Sequence, residues 1–415
     1  MASRRTLADC RVTLGVTGSI AAYKAADIVR RLTGLGVQVR VVMTRSGARL
    51  MSPHALATLS GSPVALRMWR PAELLQAGID HLDLGREPDL LLVAPATANI
   101  LGKTAGGIAD DLLSTAIMAA ACPVIFAPAM NVRMWENPVT QRNVAALREL
   151  GHHFVGPEAG DLACGETGAG RMAQPEAIAD RVARMLLARL DGLRVLVTAG
   201  PTEEEIDPVR VLTNRSSGVM GARLAEAARD RGHRVTLIAG PLRCPHPIGV
   251  ERFDVASAEE MARAVAEAEP RADVLVMAAA VADYRPARRE AAKIPSGSAA
   301  LQIPLVPNTD ILASVAPARA ARGQVTVGFA LEIGDGGEER ARAKLRAKGV
   351  DMIVLNDPTR SDSAFGGETT QPSFLYRDGR IERAEVMTKY AAAMEIVERA
   401  EALRDHAAAG GRTHG

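Results

Sequence analysis

The amino-acid sequence predicts an α/β protein built from two doubly wound, Rossmann-like parallel-sheet domains, residues 1–190 and 191–415. Three observations carry this. Short runs that are apolar throughout recur along the chain, as strands do when both faces of their sheet are covered. Helical stretches alternate with them, the pattern of parallel βαβ units. The strand, tight turn, helix and glycine stop that open the chain begin again near Leu193. At roughly 100–200 residues per domain, 415 residues allow two to three domains, and the repeated plan selects two.

In the first half Arg11–Val16 is a strand and Thr17-Gly18-Ser19 a turn. A helix follows over Ile20–Leu32, closed by Gly34 and Gly36, and then a strand over Val37–Met43. Leu90–Ala94 and Val124–Ala127 are further strands, each running into a proline-containing loop. The uncharged run Leu112–Val132 is long enough to span a bilayer by count. Ser114, Thr115, Pro123 and Pro128 suit instead a buried helix feeding a buried strand. The second half reads as strand Leu193–Thr198, turn Ala199-Gly200-Pro201-Thr202, and a charged loop to Asn214-Arg215-Ser216-Ser217-Gly218. A helix then ends near Arg231-Gly232. Strands follow at Val235–Ala239, Val274–Ala278, Val325–Phe329 and Met352–Leu355, with helices Ala258–Ala268 and Glu338–Ala347 among them. The halves join near Leu186–Gly192 without a Pro- or Ser-rich tether, and the tail from about 405, Ala408–Gly415 above all, is expected to fray.

Composition excludes several classes. Hydrophobic residues are 47% and charged ones 24%, as in an ordinary globular protein. Lys+Arg at 50 against Asp+Glu at 48 gives a net charge of +2, which argues against coating nucleic acid. Cys10, Cys122, Cys164 and Cys244 are far apart with no CxxC pair, which suits a reducing compartment and no zinc site. MASRRTLADC lacks the apolar core of a signal peptide. The expectation is a cytoplasmic protein without membrane or nucleic-acid partners. Only Lys24, Lys103, Lys293, Lys344, Lys348 and Lys389 are lysines, so each merits inspection.

Ligands of open parallel sheets sit beyond the carboxyl ends of the strands. In the first half those loops are Thr17–Ile20, Thr44–Ser46, Pro95–Asn99 and Pro128–Asn131, rich in hydroxyls and amides and nearly free of charge. Gly18-Ser19-Ile20 entering a helix suits a phosphate, and a purely structural turn equally. The G-x-G-x-x-G and acidic residue of an NAD site are missing. His81 stands between Asp80 and Asp83, which could tune it as an acid–base group; a satisfied structural histidine is the plainer reading. Cys164 lies in a glycine-rich segment with Glu166 and Arg171, a poor helix or strand that suggests a mobile flap. In the second half Ser216-Ser217-Gly218 is again an anion cradle, Asp283 follows a strand, and Lys293 lies in the loop beyond. Lys344 and Lys348 share a helix face, either solvated or holding an anion.

Gly18-Ser19-Ile20-Ala21-Ala22-Tyr23-Lys24, Pro95-Ala96-Thr97-Ala98-Asn99, Pro128-Ala129-Met130-Asn131 and the Cys164 segment occur in that order, followed by Thr198–Thr202, Asn214–Gly218 and Ala278–Tyr284. From about Thr13 to about Asp357 the chain thereby resembles the bacterial bifunctional phosphopantothenoylcysteine decarboxylase/phosphopantothenate–cysteine ligases of coenzyme A synthesis. The resemblance implies that 1–190 is a decarboxylase domain of the FMN-binding homo-oligomeric flavoprotein type, a trimer with FMN at the subunit interface. Its FMN would lie on Gly18, Ser19, Ile20, Thr44, Ser46, Pro95, Ala96, Thr97, Asn99, Ser114, Ala129 and Met130. His81 falls on the family's essential histidine, Asn131 on the asparagine that holds the substrate carboxylate, and Cys164 on the proton donor.

By the same resemblance 191–415 is a CTP-dependent ligase that forms dimers. Asn214 and Lys293 fall on catalytic positions, and Ala279, Asp283, Lys293, Asn308, Thr309, Asp310, Ile311, Phe329, Lys344 and Lys348 on nucleotide-binding ones. Ile294-Pro295-Ser296 stands where the family often has a lysine cluster, which bears on how the Lys293 loop closes. The implied substrates are 4′-phosphopantothenate, cysteine and CTP, with Mg²⁺ on the nucleotide and its protein ligands unidentified. Two other readings are an FMN-dependent reductase, which has no need of the second half, and a non-catalytic nucleotide-binding protein, which leaves Cys164, Lys293 and Lys344 without a role.

Overall fold

The computed structural model describes residues 5–68, 84–161, 167–295, 301–319, 322–332, 334, 336–356 and 368–410. The chain divides into two compact units, Met1–Leu190 and Asp191–Gly415. In the first, β1 (Arg11–Val16), β2 (Gln38–Met43), β3 (Leu90–Ala96), β4 (Val124–Pro128) and β5 (His153–Phe154) form a parallel sheet in the order β2-β1-β3-β4-β5. Leu90 to Ala94 are all fully buried, which is why these strands lack alternation. Helices α1 (Ala25–Gly34), α2 (Ala98–Ala105), α3 (Leu112–Met118), α4 (Val132–Glu136), α5 (Pro138–Glu149) and α6 (Pro175–Leu187) surround the sheet. Ile100, Leu113 and Val144 from α2, α3 and α5 pack with Leu91, Val93 and Phe126 in one core. The strand order reverses between β1 and β3, so the crevice beyond their carboxyl ends is the ligand position of this topology.

Two local expectations are corrected here, and a third, the buried helix and strand of Leu112–Val132, is met. The helix predicted over Ile20–Leu32 begins as a 3-10 turn, Ile20–Lys24, and becomes α-helical only at Ala25. Ser19 starts that turn by accepting from the Ala21 N–H at 3.4 Å. The glycine-rich stretch expected to resist regular structure forms β7 (Thr167–Arg171), antiparallel to β6 (Glu158–Asp161). Its glycines permit close approach rather than looseness. A Cβ on Gly168 would lie 2.6 Å from Val132 Cγ2, and one on Gly170 2.4 Å from the Met130 carbonyl oxygen. The run Leu112–Val132 contains helix α3 and strand β4, and no described helix is long and apolar enough to cross a membrane. The tail also departs from expectation, as described below.

The second unit holds β8 (Arg194–Ala199), β9 (Arg234–Ala239), β10 (Glu251–Asp254), β11 (Val274–Met277), β12 (Val325–Leu331), β13 (Met352–Asn356), β14 (Ser373–Tyr376) and β15 (Ile381–Arg383). Their order is β10-β9-β8-β11-β12-β13-β14-β15, with β10 to β13 mutually parallel and β14 and β15 antiparallel. The six parallel strands follow the dinucleotide-fold order, which reverses between β8 and β11. Helices α7 (Val219–Asp230), α8 (Ala258–Ala268), α9 (Ile311–Arg319), α10 (Gly337–Lys348) and α11 (Lys389–Gly410) complete it. A Cβ on Gly221 would come 2.8 Å from Ala199 Cα, so glycine lets α7 lie directly on β8. Helix α11 runs to Gly410, past residue 405, where fraying was expected. Its Ala, Glu, Leu and Arg are strong helix formers.

A buried polar cluster fixes α11 to the corner between α7 and β9. Glu401 accepts from Arg231 Nε and Nη2 at 2.9 and 2.5 Å, and from His233 Nε2. His233 is fully buried, and its Nδ1 accepts from the Leu193 N–H at 3.1 Å. Burial alone would raise the Glu401 pKa; the hydrogen bonds from His233 and Arg231 outweigh it and hold the group at about 2, below the usual 4.5. A depressed carboxyl pKa stabilises the fold fully above its ordinary value, and that contribution drains away as pH falls towards the folded one. Glu401→Gln is therefore expected to cost about 3 kcal/mol at neutral pH by stranding Arg231. The variant should also lose less further stability than the parent between pH 4.5 and about 2. Urea unfolding followed by circular dichroism checks both, and coincident curves at all pH values would remove the cluster from the account.

Candidate functional site

In the first unit the strand-end loops are held together by small polar groups. Thr17, at the end of β1, is buried; its hydroxyl donates to the Pro95 carbonyl at 2.6 Å and accepts from the Thr97 N–H at 3.2 Å. A Cβ on Gly18 would sit 2.4 Å from Ser46 Cβ, so the loops after β1 and β2 touch. Thr44 turns its hydroxyl to the Gly47 N–H at 3.1 Å. The Ala129 N–H donates to Ala96 and the Met130 N–H to Gly170, both at 3.0 Å, which ties the fourth loop to β3 and to β7. Asn131 caps α4, its Oδ1 accepting from the Arg133 N–H at 2.8 Å.

The structure thus brings Gly18, Ser19, Ile20, Thr44, Ser46, Pro95, Ala96, Thr97, Asn99, Ala129, Met130 and Asn131 to the carboxyl end of one sheet. Ser114 is different: it is buried in the cap of α3, its hydroxyl donating to the Asp111 carbonyl and accepting from the Asp111 N–H, each at 3.0 Å. His81 and Cys164 lie outside the described residues.

In the second unit a cavity of about 590 Å³ opens beyond the β8–β11 reversal. One wall is Asn214 to Gly221 entering α7, and the floor is Ala278 to Asp283, after β11. That floor has no regular structure, and neighbouring side chains satisfy its backbone. Ala279 N–H donates to Thr198 Oγ1 at 3.2 Å and Ala282 N–H to Thr202 Oγ1 at 3.0 Å. Asn214 Nδ2 donates to the carbonyls of Ala280 and Val281 at 3.2 and 3.0 Å, and Asn308 Nδ2 to that of Ala282 at 2.8 Å. Arg285 donates to Asn308 Oδ1 at 3.0 Å, which fixes the orientation of that amide.

Opposite lie Asn308, Thr309, Asp310 and Ile311, then Phe329, Lys344 and Lys348. Each lysine has a carboxylate partner, Glu332 at 3.8 Å and Asp310 at 3.3 Å. Ala279, Asp283, Asn308, Thr309, Asp310, Ile311, Phe329, Lys344, Lys348 and Asn214 are therefore assembled around one space, as the sequence led one to expect. Lys293 is not. It is exposed and does not line the cavity; Ile294 beside it donates to Asp207 Oδ2 at 3.1 Å and accepts from Arg210 at 3.1 Å. Asn356, Thr370 and Lys389 also line the cavity and were not singled out for it. Only the scarcity of lysine pointed towards Lys389.

A flavodoxin-type strand order followed by a dinucleotide-fold unit with a polar, lysine-bearing cavity defines a two-unit α/β enzyme that handles phosphorylated ligands. Residues 1–187 match the family described as flavoprotein, and residues 190–403 the DNA/pantothenate metabolism flavoprotein C-terminal domain. The coenzyme A biosynthesis bifunctional protein CoaBC of Vibrio parahaemolyticus is 40% identical over 402 residues, 96% of this chain and 100% of that one. Its namesake in Mycobacterium tuberculosis is 43% identical over 405 residues, 94% of this chain and 95% of that one. A crystal structure of the C-terminal domain of a CoaBC protein is 36% identical and covers 52% of this chain and 97% of its own, with a TM-score of 0.44. The chain belongs to the CoaBC family. It is a flavoprotein and a bifunctional enzyme of coenzyme A biosynthesis, with decarboxylase and ligase activities. Neither a lone flavin reductase nor a non-catalytic nucleotide binder matches both halves.

Asn214→Asp tests the floor of the cavity. An Asp oxygen in place of Nδ2 would face the Ala280 and Val281 carbonyls and repel them. Expected outcomes are faster amide hydrogen exchange at Ala279, Ala280 and Ala282 and a ligase rate lower by about tenfold or more. Unaltered exchange would mean that the floor is held without Asn214.

Proposed function

We propose that residues 1–190 are the FMN-dependent phosphopantothenoylcysteine decarboxylase and residues 191–415 the CTP-dependent phosphopantothenate–cysteine ligase, acting in the cytoplasm in the order ligation, then decarboxylation. The observation that carries the reading is the cavity beyond β8 and β11, lined by N–H-rich turns on one side and by Lys344 and Lys348 on the other. It suits a nucleotide meeting an anionic partner. A carboxylate does not react with an amine unaided. In the ligase step a carboxylate oxygen of 4′-phosphopantothenate attacks the α-phosphorus of CTP and pyrophosphate leaves; the cysteine amine then attacks the acyl carbon and expels CMP. Lys344 and Lys348 offset the charge of the phosphates, and the exposed Lys293 closes on the reacting phosphorus. The described residues include no group of three or more His, Cys, Asp or Glu side chains placed to hold a metal. Mg²⁺ would arrive on the phosphate oxygens of the nucleotide, with Asp283 and Asp310 as carboxylates of the cavity lining.

The first-unit loops fit FMN by their donor set. Ser19, Thr44, Ser46, Thr97 and Asn99 offer hydroxyls and an amide, with no carboxylate among them to repel a phosphate. When bound, the flavin supplies the electron sink that a cysteine carboxylate lacks. Asn131 holds that carboxylate, His81 serves as the acid–base group, and Cys164 returns a proton to the product. Ile20 and Tyr23, 66% and 63% exposed beside these loops, suit a trimeric interface. Exposed Val209, Val211 and Leu305 suit dimers through the second unit.

One reaction tests the whole. The yellow full-length protein, given 4′-phosphopantothenate, CTP, Mg²⁺ and cysteine, should release pyrophosphate and CO₂ in equal amounts. Pyrophosphate without CO₂, or no pyrophosphate at all, would remove one or both assignments. Cys164→Ser should still release CO₂ but accumulate a product two hydrogens lighter than 4′-phosphopantetheine by mass spectrometry, since a hydroxyl is a far weaker acid than a thiol of pKa about 8.5. The normal saturated product at an unchanged rate would place the donor elsewhere.

A further inference from the structure

We infer that Lys389, Asn356 and Thr370 form an anion-binding wall of the ligase cavity that takes a substrate phosphoryl group, an inference that rests on the ligase reading above. Three separate elements meet there. Asn356 ends β13, Thr370 lies in the two-residue strand Thr369–Thr370, and Lys389 opens α11. All three line the cavity together with Ser216 and Ser217, yet none belongs to the nucleotide positions that the family resemblance supplies.

The chemistry of the wall is one-sided. The Thr370 hydroxyl donates to Asn356 Oδ1 at 3.1 Å, which sets the orientation of that amide and leaves its NH₂ to donate to a ligand. Thr370 is buried and Asn356 half-buried. Lys389 is half-buried and has no ion-pair partner within reach among the described residues, unlike Lys344 with Glu332 and Lys348 with Asp310. Burial pushes its ammonium pKa down from the usual value, and the pull of Glu368, whose side chain is 72% exposed, offsets this only in part. A half-desolvated cation and an amide donor lining one cavity are complementary to an oxyanion. Two substrates bring phosphoryl oxygens, the nucleotide and 4′-phosphopantothenate, and both meet this requirement.

The test uses full-length Lys389→Met, Lys389→Arg and Asn356→Asp. Pyrophosphate release is measured with CTP, 4′-phosphopantothenate and cysteine varied separately, and an unchanged KM of cysteine together with an unchanged thermal unfolding curve reports that the second unit is folded. Lys389→Met should raise the KM of one phosphorylated substrate by about ten- to a hundredfold, leaving the KM of cysteine and the unfolding curve unchanged. Lys389→Arg should recover most of the loss, and Asn356→Asp, which sets a charge of the wrong sign beside the oxyanion, should raise the same KM. A rise confined to CTP assigns the nucleotide phosphates to this wall, and one confined to 4′-phosphopantothenate assigns that phosphate. Unchanged KM values for both in Lys389→Met overturn the inference. A parent enzyme that releases no pyrophosphate would overturn the ligase reading instead, a different failure.

Discussion

Buried loop backbone is the constraint on which both units depend. Where a parallel strand stops, its ladder partners stop as well, and peptide groups that remain inside must find others or cost stability. Each unit solves this with a buried threonine where its first strand ends, Thr17 just after β1 and Thr198 next to last in β8. Each hydroxyl reaches sideways to the loop after the adjacent strand, Thr17 to Pro95 and Thr97, Thr198 to Ala279. The adjacent strand is in both cases the one across the reversal of strand order. The residue that repairs the backbone therefore also shapes the mouth of the ligand crevice.

Side-chain repair carries chemical consequences. Loops held by threonine and asparagine are fixed without spending a charge, so their backbone is oriented by neutral dipoles. They must also be built from small residues. In the floor Ala278-Ala279-Ala280-Val281-Ala282, larger side chains would occupy the volume that the cavity leaves open. Gly200, with φ of 78°, and Gly221 bring the turn and α7 close enough for Ser216 and Ser217 to face that floor. Packing, hydrogen bonding and site geometry are one arrangement here and cannot be altered singly.

The apolar central strands were legible in the sequence because burial on both faces writes an unbroken run, as in Leu90–Ala94 and Val274–Met277. Strand β10 was not. Glu251-Arg252-Phe253-Asp254 is an edge strand with one neighbour, so nothing requires it to be apolar. The β14–β15 hairpin announces itself only in Asp378-Gly379, where the glycine takes φ of 93°. Glycine composition misled at β7, because a residue that permits flexibility is also the residue that permits contact. Of the cavity lining, most residues carried by local motifs were expected to stand together, while Lys293 was expected there and lies outside it. Asn356, Thr370 and Lys389 reach the cavity only through the packing of β13, a two-residue strand and α11, and no short motif encodes that.

The lysines show how the second unit distributes charge. Lys344 and Lys348 stand one helical turn apart on α10, a repulsive pair unless each is neutralised. Glu332 and Asp310 face them from two other elements at 3.8 and 3.3 Å, and Glu332 also accepts from Arg340 Nε at 2.7 Å. Asp310 at the same time accepts from the Ala313 N–H at 3.1 Å and so starts α9. A phosphate entering the cavity competes with these carboxylates for the lysines but leaves the Asp310 cap intact. Lys389 is arranged in the opposite way: half-buried, without a paired carboxylate among the described residues, and set beside an amide whose acceptor is already used. One side of the cavity thus carries two lysines with carboxylates within 4 Å, and the other a single half-buried lysine offset only by the more distant charge of Glu368, so positive charge is unevenly compensated across one space.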